Sequence, residues 1–126
     1  MPNPPRTIDK KGNFGLAGFA WETTQITMST TDARSGIQLF PAPELYSRAN
    51  HLSFLSFSST HPANDAVVYF SGVGQPHSLA LNIDSHNHGP FLDNFLDPIS
   101  FPTGVAVKLV ANEAFSIYIT AKYFVE

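Results

Sequence analysis

The chain has no cysteine among its 126 residues, which removes disulfides, iron–sulfur clusters, thiolate zinc sites and cysteine nucleophiles together. Charge is scarce as well: Asp, Glu, Lys and Arg make up 13% of the residues, against roughly a quarter in an ordinary globular chain. Ten acidic and seven basic residues give a formal net charge of -3, and no run of like charge is longer than Lys10-Lys11. A nucleic-acid binder that neutralises phosphates needs a basic stripe, and there is none. No apolar stretch approaches the roughly 20 residues that span a bilayer. Met1-Pro2-Asn3-Pro4-Pro5 lacks the charged-then-apolar order of a secretion signal. The expectation is a soluble, cytoplasmically made protein with neither nucleic acid nor membrane as partner.

What the chain does have is aromatic and turn-forming residues: 11 Phe, 4 Tyr, one Trp, 10 Pro and 8 Gly. Its length suits one domain, which at this size removes about two-thirds of the unfolded surface from water. Met1 to Ala20 carries three of the Pro, and Gly12, Gly15 and Gly18 punctuate Phe14, Leu16 and Phe19. That composition suits an extended arm better than a strand in a sheet. Phe14, Leu16, Phe19 and Trp21 are too apolar for a free tail, so the arm is expected to lie on its own domain or on a neighbour.

From Thr24 the apolar period is close to 2, the mark of half-buried strands. Thr24, Ile26 and Met28 share one side. Asp32 to Gly36 reads as a turn before the run Ile37 to Phe40, which Pro41 and Pro43 stop. Glu44 to Asn50 is the only stretch suited to a short helical turn. In His51 to Ser58 the apolar parity slips by one residue, which a β-bulge near Phe54-Leu55 explains. Ala66 to Phe70 is apolar throughout, as expected of a strand covered on both faces. Leu79, Leu81 and Ile83 alternate, Phe91 to Phe101 is irregular with bends at Pro98 and Pro102, and two alternating runs around Val107 and Ile117 read as a closing hairpin. Seven or eight strands joined by Pro/Gly/Asn/Asp turns predict an all-β fold. It is a single antiparallel β-sandwich or jelly roll over residues 24–126, with an extended N-terminal arm over 1–23.

The order of features from His51 to Tyr123 adds a resemblance. A Ser/Phe-rich strand, a turn, an apolar strand, a Gly-punctuated loop and an alternating strand lead to the step Pro98-Ile99-Ser100-Phe101-Pro102-Thr103-Gly104 and a final Ser116-Ile117-Tyr118-Ile119-Thr120-Ala121-Lys122-Tyr123. This resembles small β-sandwich structural proteins of tailed bacteriophages, of the capsid cement or decoration type and related fibre and baseplate modules. The resemblance implies a non-enzymatic virion protein, made in the host cytoplasm, that forms trimers or other homo-oligomers and binds the major capsid protein or another virion protein. Met1 to Asn50 lies outside it. Phe14, Leu16, Phe19 and Trp21 are the candidate partner-binding residues, Trp21 as an aromatic anchor for a pocket.

Three patterns offer chemistry. In Asp84-Ser85-His86-Asn87-His88, continued strand alternation would set Asp84, His86 and His88 on one side as metal ligands; the plainer reading is a solvated turn. His86, His88 and Asp93 also follow part of the first cupin motif, with Asp for the usual Glu, Ala80 where a Gly belongs and Val107 where the second motif needs a His. That makes a cupin-like metal enzyme the third reading. Tyr46, Tyr69, Tyr118 and Trp21 offer rings for stacking on a sugar, so a carbohydrate-binding, lectin-like module is the second. Ser71-Gly72-Val73-Gly74 fits neither a nucleophile elbow nor a dinucleotide loop, and Asp93 and Asp97 read as loop carboxylates rather than an acid–base pair. No cofactor is expected.

Overall fold

The structure, a computed structural model, describes residues 23–126. The arm residues Phe14, Leu16, Phe19 and Trp21 lie outside them. Among the described residues there are eight strands and no helix: β1 (Thr24–Thr30), β2 (Ile37–Phe40), β3 (Asn50–Ser59), β4 (Ala66–Gly72), β5 (His77–Ile83), β6 (Phe91–Ser100), β7 (Val107–Ala111) and β8 (Ile117–Val125). The first half of the chain pairs with the second as one long hairpin, β1 with β8, β2 with β7, β3 with β6 and β4 with β5. Rolling that hairpin brings β3 beside β8 and β4 beside β7. The result is two four-stranded antiparallel sheets, β1-β8-β3-β6 and β2-β7-β4-β5, the arrangement of an eight-stranded jelly roll.

Alternation explains the core. Leu52, Leu55, Phe57, Ile117, Ile119 and Ala121 on one sheet meet Phe40, Val68, Phe70, Ile83, Val107 and Leu109 on the other, all buried. At one end Phe40 stacks on Tyr123 (4.0 Å between ring centroids, 22° between planes) and meets Phe101 edge-on at 6.4 Å.

The parity slip in β3 has the cause expected of it, displaced by one residue. Leu52 pairs with Tyr123 and Phe54 with Lys122, so Ser53 is the extra residue, and Leu52, Leu55 and Phe57 all turn inward. Glu44 to Asn50 is not helical. One bond, Arg48 N–H to Leu45 O at 3.0 Å, is all the turn it makes; Arg48 O accepts from Gly104 and Ala49 exchanges both backbone bonds with Glu126. Tertiary partners take the groups a helix would have used.

Three further expectations change. β4 is not covered on both faces, because Val67 and Tyr69 are only half-buried. Phe91 to Ser100 is a strand, at the edge of its sheet, and an edge tolerates Pro98 because no neighbour needs its missing N–H. Across the Ser53 bulge its register jumps from Ile99 to Asn94, so Phe95 to Pro98 form an excursion. β7 and β8 are not a hairpin, since they belong to different sheets. Their connection crosses the sandwich: Asn112 bonds both backbone groups of Val67 on β4, while Ser116 exchanges bonds with Thr60 beyond β3.

Gly89 sits against β3 with φ +105°, and a Cβ there would lie 2.8 Å from Phe57 O and from Ser58 Cα. Gly74, at φ +78°, has nothing within 4 Å. Gly89→Ala is therefore expected to destabilise the fold by at least ~2 kcal/mol in urea unfolding, and Gly74→Ala by only about 1 kcal/mol of backbone strain.

Candidate functional site

The histidine-bearing segment connects the two sheets. β5 ends at Ile83, and Asp84 to Asn87 then close a turn in which each backbone N–H bonds the other's carbonyl, at 3.2 and 3.3 Å. Asp84 Oδ1 accepts from the N–H groups of both His86 and Asn87, each at 2.8 Å. This is the ordinary work of an Asp at a turn. His88 is fastened to the end of β3, its carbonyl accepting from Ser59 N at 3.0 Å and its Nδ1 lying 3.3 Å from Ser59 O. Its ring lies 6.0 Å from that of His61.

The expected metal set is thereby corrected. Alternation stops at Ile83, so Asp84, His86 and His88 do not share a strand face, and among the described residues no three His, Asp or Glu side chains gather as metal ligands. Asp93 lies on β6 opposite Leu55 and does not join the histidines in such a group, so the cupin-like set is not assembled either.

The three described tyrosines of the sugar-stacking reading do not form one platform. Tyr46 is exposed in the connection between β2 and β3, Tyr69 on β4 stacks on His77 at 3.9 Å, and Tyr118 is half-exposed on β8. Trp21 is outside the described residues.

The described residues also form depressions, of which two have linings that bear on function. One, of about 340 Å³, lies where Pro41, Pro43, Leu45 and Arg48 approach Tyr123 and Val125. Asn50, wholly buried, lines it; its Nδ2 donates to Pro41 O (3.0 Å) and Val105 O (3.4 Å), and its Oδ1 has no partner. The carboxamide ties the exit of β2 to the entry of β7.

The second is a shallow groove of about 550 Å³ on the outer face of the β1-β8-β3-β6 sheet. Register builds it in rows: Thr27, Thr120 and Ser56 stand side by side, and Ser29, Tyr118 and Ser58 form the next row. Met28 and Ile119 complete the lining, so no charged side chain is part of it. Thr27 and Thr120 hydroxyls lie 3.4 Å apart, whereas those of Ser56, Ser58 and Tyr118 have no partner among the described residues. Beyond Thr120, Lys122 lies over the Phe54 ring, 5.3 Å from its centre. The polar half of each alternation was visible in the sequence; that β1, β8 and β3 are neighbours was not.

No protein-family model matches the chain, and no curated protein matches its sequence.

An ion pair lies away from both depressions. In the β1–β2 connection Arg34 Nε and Nη2 donate to the two Asp32 carboxylate oxygens at 2.9 and 2.8 Å, and its backbone N–H adds a third bond at 3.0 Å. The side-chain bonds from Arg34, then its backbone bond, lower the Asp32 pKa from 3.8 to about 2. A depressed carboxyl stabilises the fold above its unfolded pKa, and that contribution fades as pH falls through about 2; the pair is exposed, so its contribution to stability is small. In Arg34→Ala, NMR titration should find Asp32 back in the ordinary carboxylate range.

Proposed function

We propose that this chain is a non-enzymatic structural protein of a bacteriophage particle, of the capsid decoration or cement type, which assembles as a homo-oligomer, a trimer by the resemblance, on other virion proteins. The observation that carries this reading is β6, an edge strand among the described residues, where Leu92 is 72% exposed and Leu96 101% exposed. A leucine left in water forgoes roughly 1.5–3 kcal/mol available on full burial, and large exposed apolar side chains mark contact surfaces when they cluster. Leu45, Tyr46 and Val73 are exposed as well.

Two features of the sequence support the same reading. The exterior has few charges to keep copies apart. The 1–23 arm carries Phe14, Leu16, Phe19 and Trp21, and these residues serve as anchors that dock on a neighbouring subunit or shell protein. Jelly rolls build viral capsid domains as well as lectins and cupins, and the exposed leucines of β6 favour the first.

Light scattering on the full chain tests the proposal: the expected mass is a multiple of 13.8 kDa, with a trimer as the specific expectation. Leu92→Glu with Leu96→Glu, and separately deletion of residues 1–20, should each reduce that mass while far-ultraviolet circular dichroism keeps its β signature. A monomer at every concentration, or an oligomer indifferent to both changes, overturns the reading.

A further inference from the structure

The outer face of the β1-β8-β3-β6 sheet has a chemistry of its own. Its groove presents hydroxyl-bearing residues in rows whose backbones are about 4.8 Å apart across strands and about 6.8 Å apart along them, and the Thr27 and Thr120 hydroxyls themselves are 3.4 Å apart. Ser56, Ser58 and Tyr118 have their hydroxyls unpaired among the described residues, and Tyr118 is 51% exposed. Gln25 and Asn94, exposed on β1 and β6, stand in the adjoining row with Lys122 and Phe54.

Each ligand class makes a different demand on such a surface. An anion or nucleic acid needs cations, and the lining has none; Lys122, in the adjoining row, lies over an aromatic ring. A metal ion needs carboxylate or imidazole, which the lining lacks. A protein hot spot is built around aromatic, apolar or Arg side chains shielded from water, whereas here the centre is Ser and Thr. A neutral polyhydroxylated ligand meets every condition. Serine, threonine and tyrosine hydroxyls both donate and accept, as sugar hydroxyls do, and the C–H face of a pyranose can lie on the Tyr118 ring beside the Ser58 hydroxyl, while the amides of Gln25 and Asn94, two rows farther along the strands, are placed for a following sugar of an extended chain.

We infer that this face is a binding site for a neutral carbohydrate. Because the groove is shallow and open, it takes an internal stretch of an extended glycan chain rather than a chain end. Tyr118 supplies the stacking surface, and Ser56, Ser58, Thr120 and Thr27 supply the hydrogen-bonding rows. The site does not depend on the assembly reading, and either can fail without the other.

The test uses the full chain, isotope-labelled, titrated with neutral oligosaccharides of glucose, galactose, mannose and xylose, with a sulfated oligosaccharide as the charged control. Amide shifts should move first along β8 and β3 around Tyr118 and Ser56 for at least one neutral sugar, with no preference for the charged one. Tyr118→Ala should weaken that binding about tenfold or more, and Tyr118→Phe should restore most of it. Thr120→Val with Ser56→Val, substitutions that suit exposed strand positions, should weaken it with the thermal midpoint nearly unchanged. No shift with any neutral sugar, shifts mapped to another surface, tighter binding of the sulfated control, or binding that survives Tyr118→Ala overturns the assignment. So does a Tyr118→Ala variant whose only change is a lower oligomeric mass, which would make the face a subunit contact.

Discussion

The contact between the two inward-facing rows of side chains is the interaction on which the rest of the molecule depends. With no disulfide and little charge, cohesion falls to the apolar positions that alternate along each strand and meet across roughly 10 Å between the sheets. Phe40, Phe57 and Phe70 fill that space, and the stack of Phe40 on Tyr123 joins the last residue of β2 to the last strand of the chain. Each local irregularity serves this contact. The Ser53 bulge is the clearest, since a regular strand through the same residues would turn Leu55 and Phe57 to water and Ser56 to the core.

Alternation is a local property and was therefore legible in the sequence. It located most of the strands, the turn at Asp32 to Gly36 and the parity slip in β3. It says which residues share a face but not which strand lies beside which. Val107, Leu109 and Ala111 alternate just before Ile117, Ile119 and Ala121, which suggested a hairpin, yet the two rows face each other across the core. Pro98 suggested an irregular segment because proline is excluded from central strands, and edge position cannot be read from one segment alone. The Asp84–His88 stretch failed differently: its spacing fits metal ligation only if the strand continues, and the Asp84 carboxylate instead holds the turn that ends it.

The candidate sites divide by the same rule. Faces assembled from separate strands, such as the hydroxyl rows of β1, β8 and β3, exist only once topology is known. Features within one segment, such as the histidine turn, were visible early and proved to be connections. The outside of the sandwich is accordingly not uniform. One sheet carries a polar, uncharged groove, while the exposed leucines sit on that sheet's edge strand, Leu92 opposite Ser56 at the end of a hydroxyl row, so the surface proposed for sugar and the surface proposed for protein contact share a border.

The excursion from Phe95 to Pro98 also governs how the sheet ends. A straight outermost strand would offer a full row of unsatisfied N–H and C=O groups to any passing chain, and stacking could then continue without limit into fibres. Here the ladder is interrupted in mid-strand and one of its donors is removed by the proline ring. Whatever approaches that rim must therefore recognise side chains rather than main chain, so the strand ladder has a built-in stop.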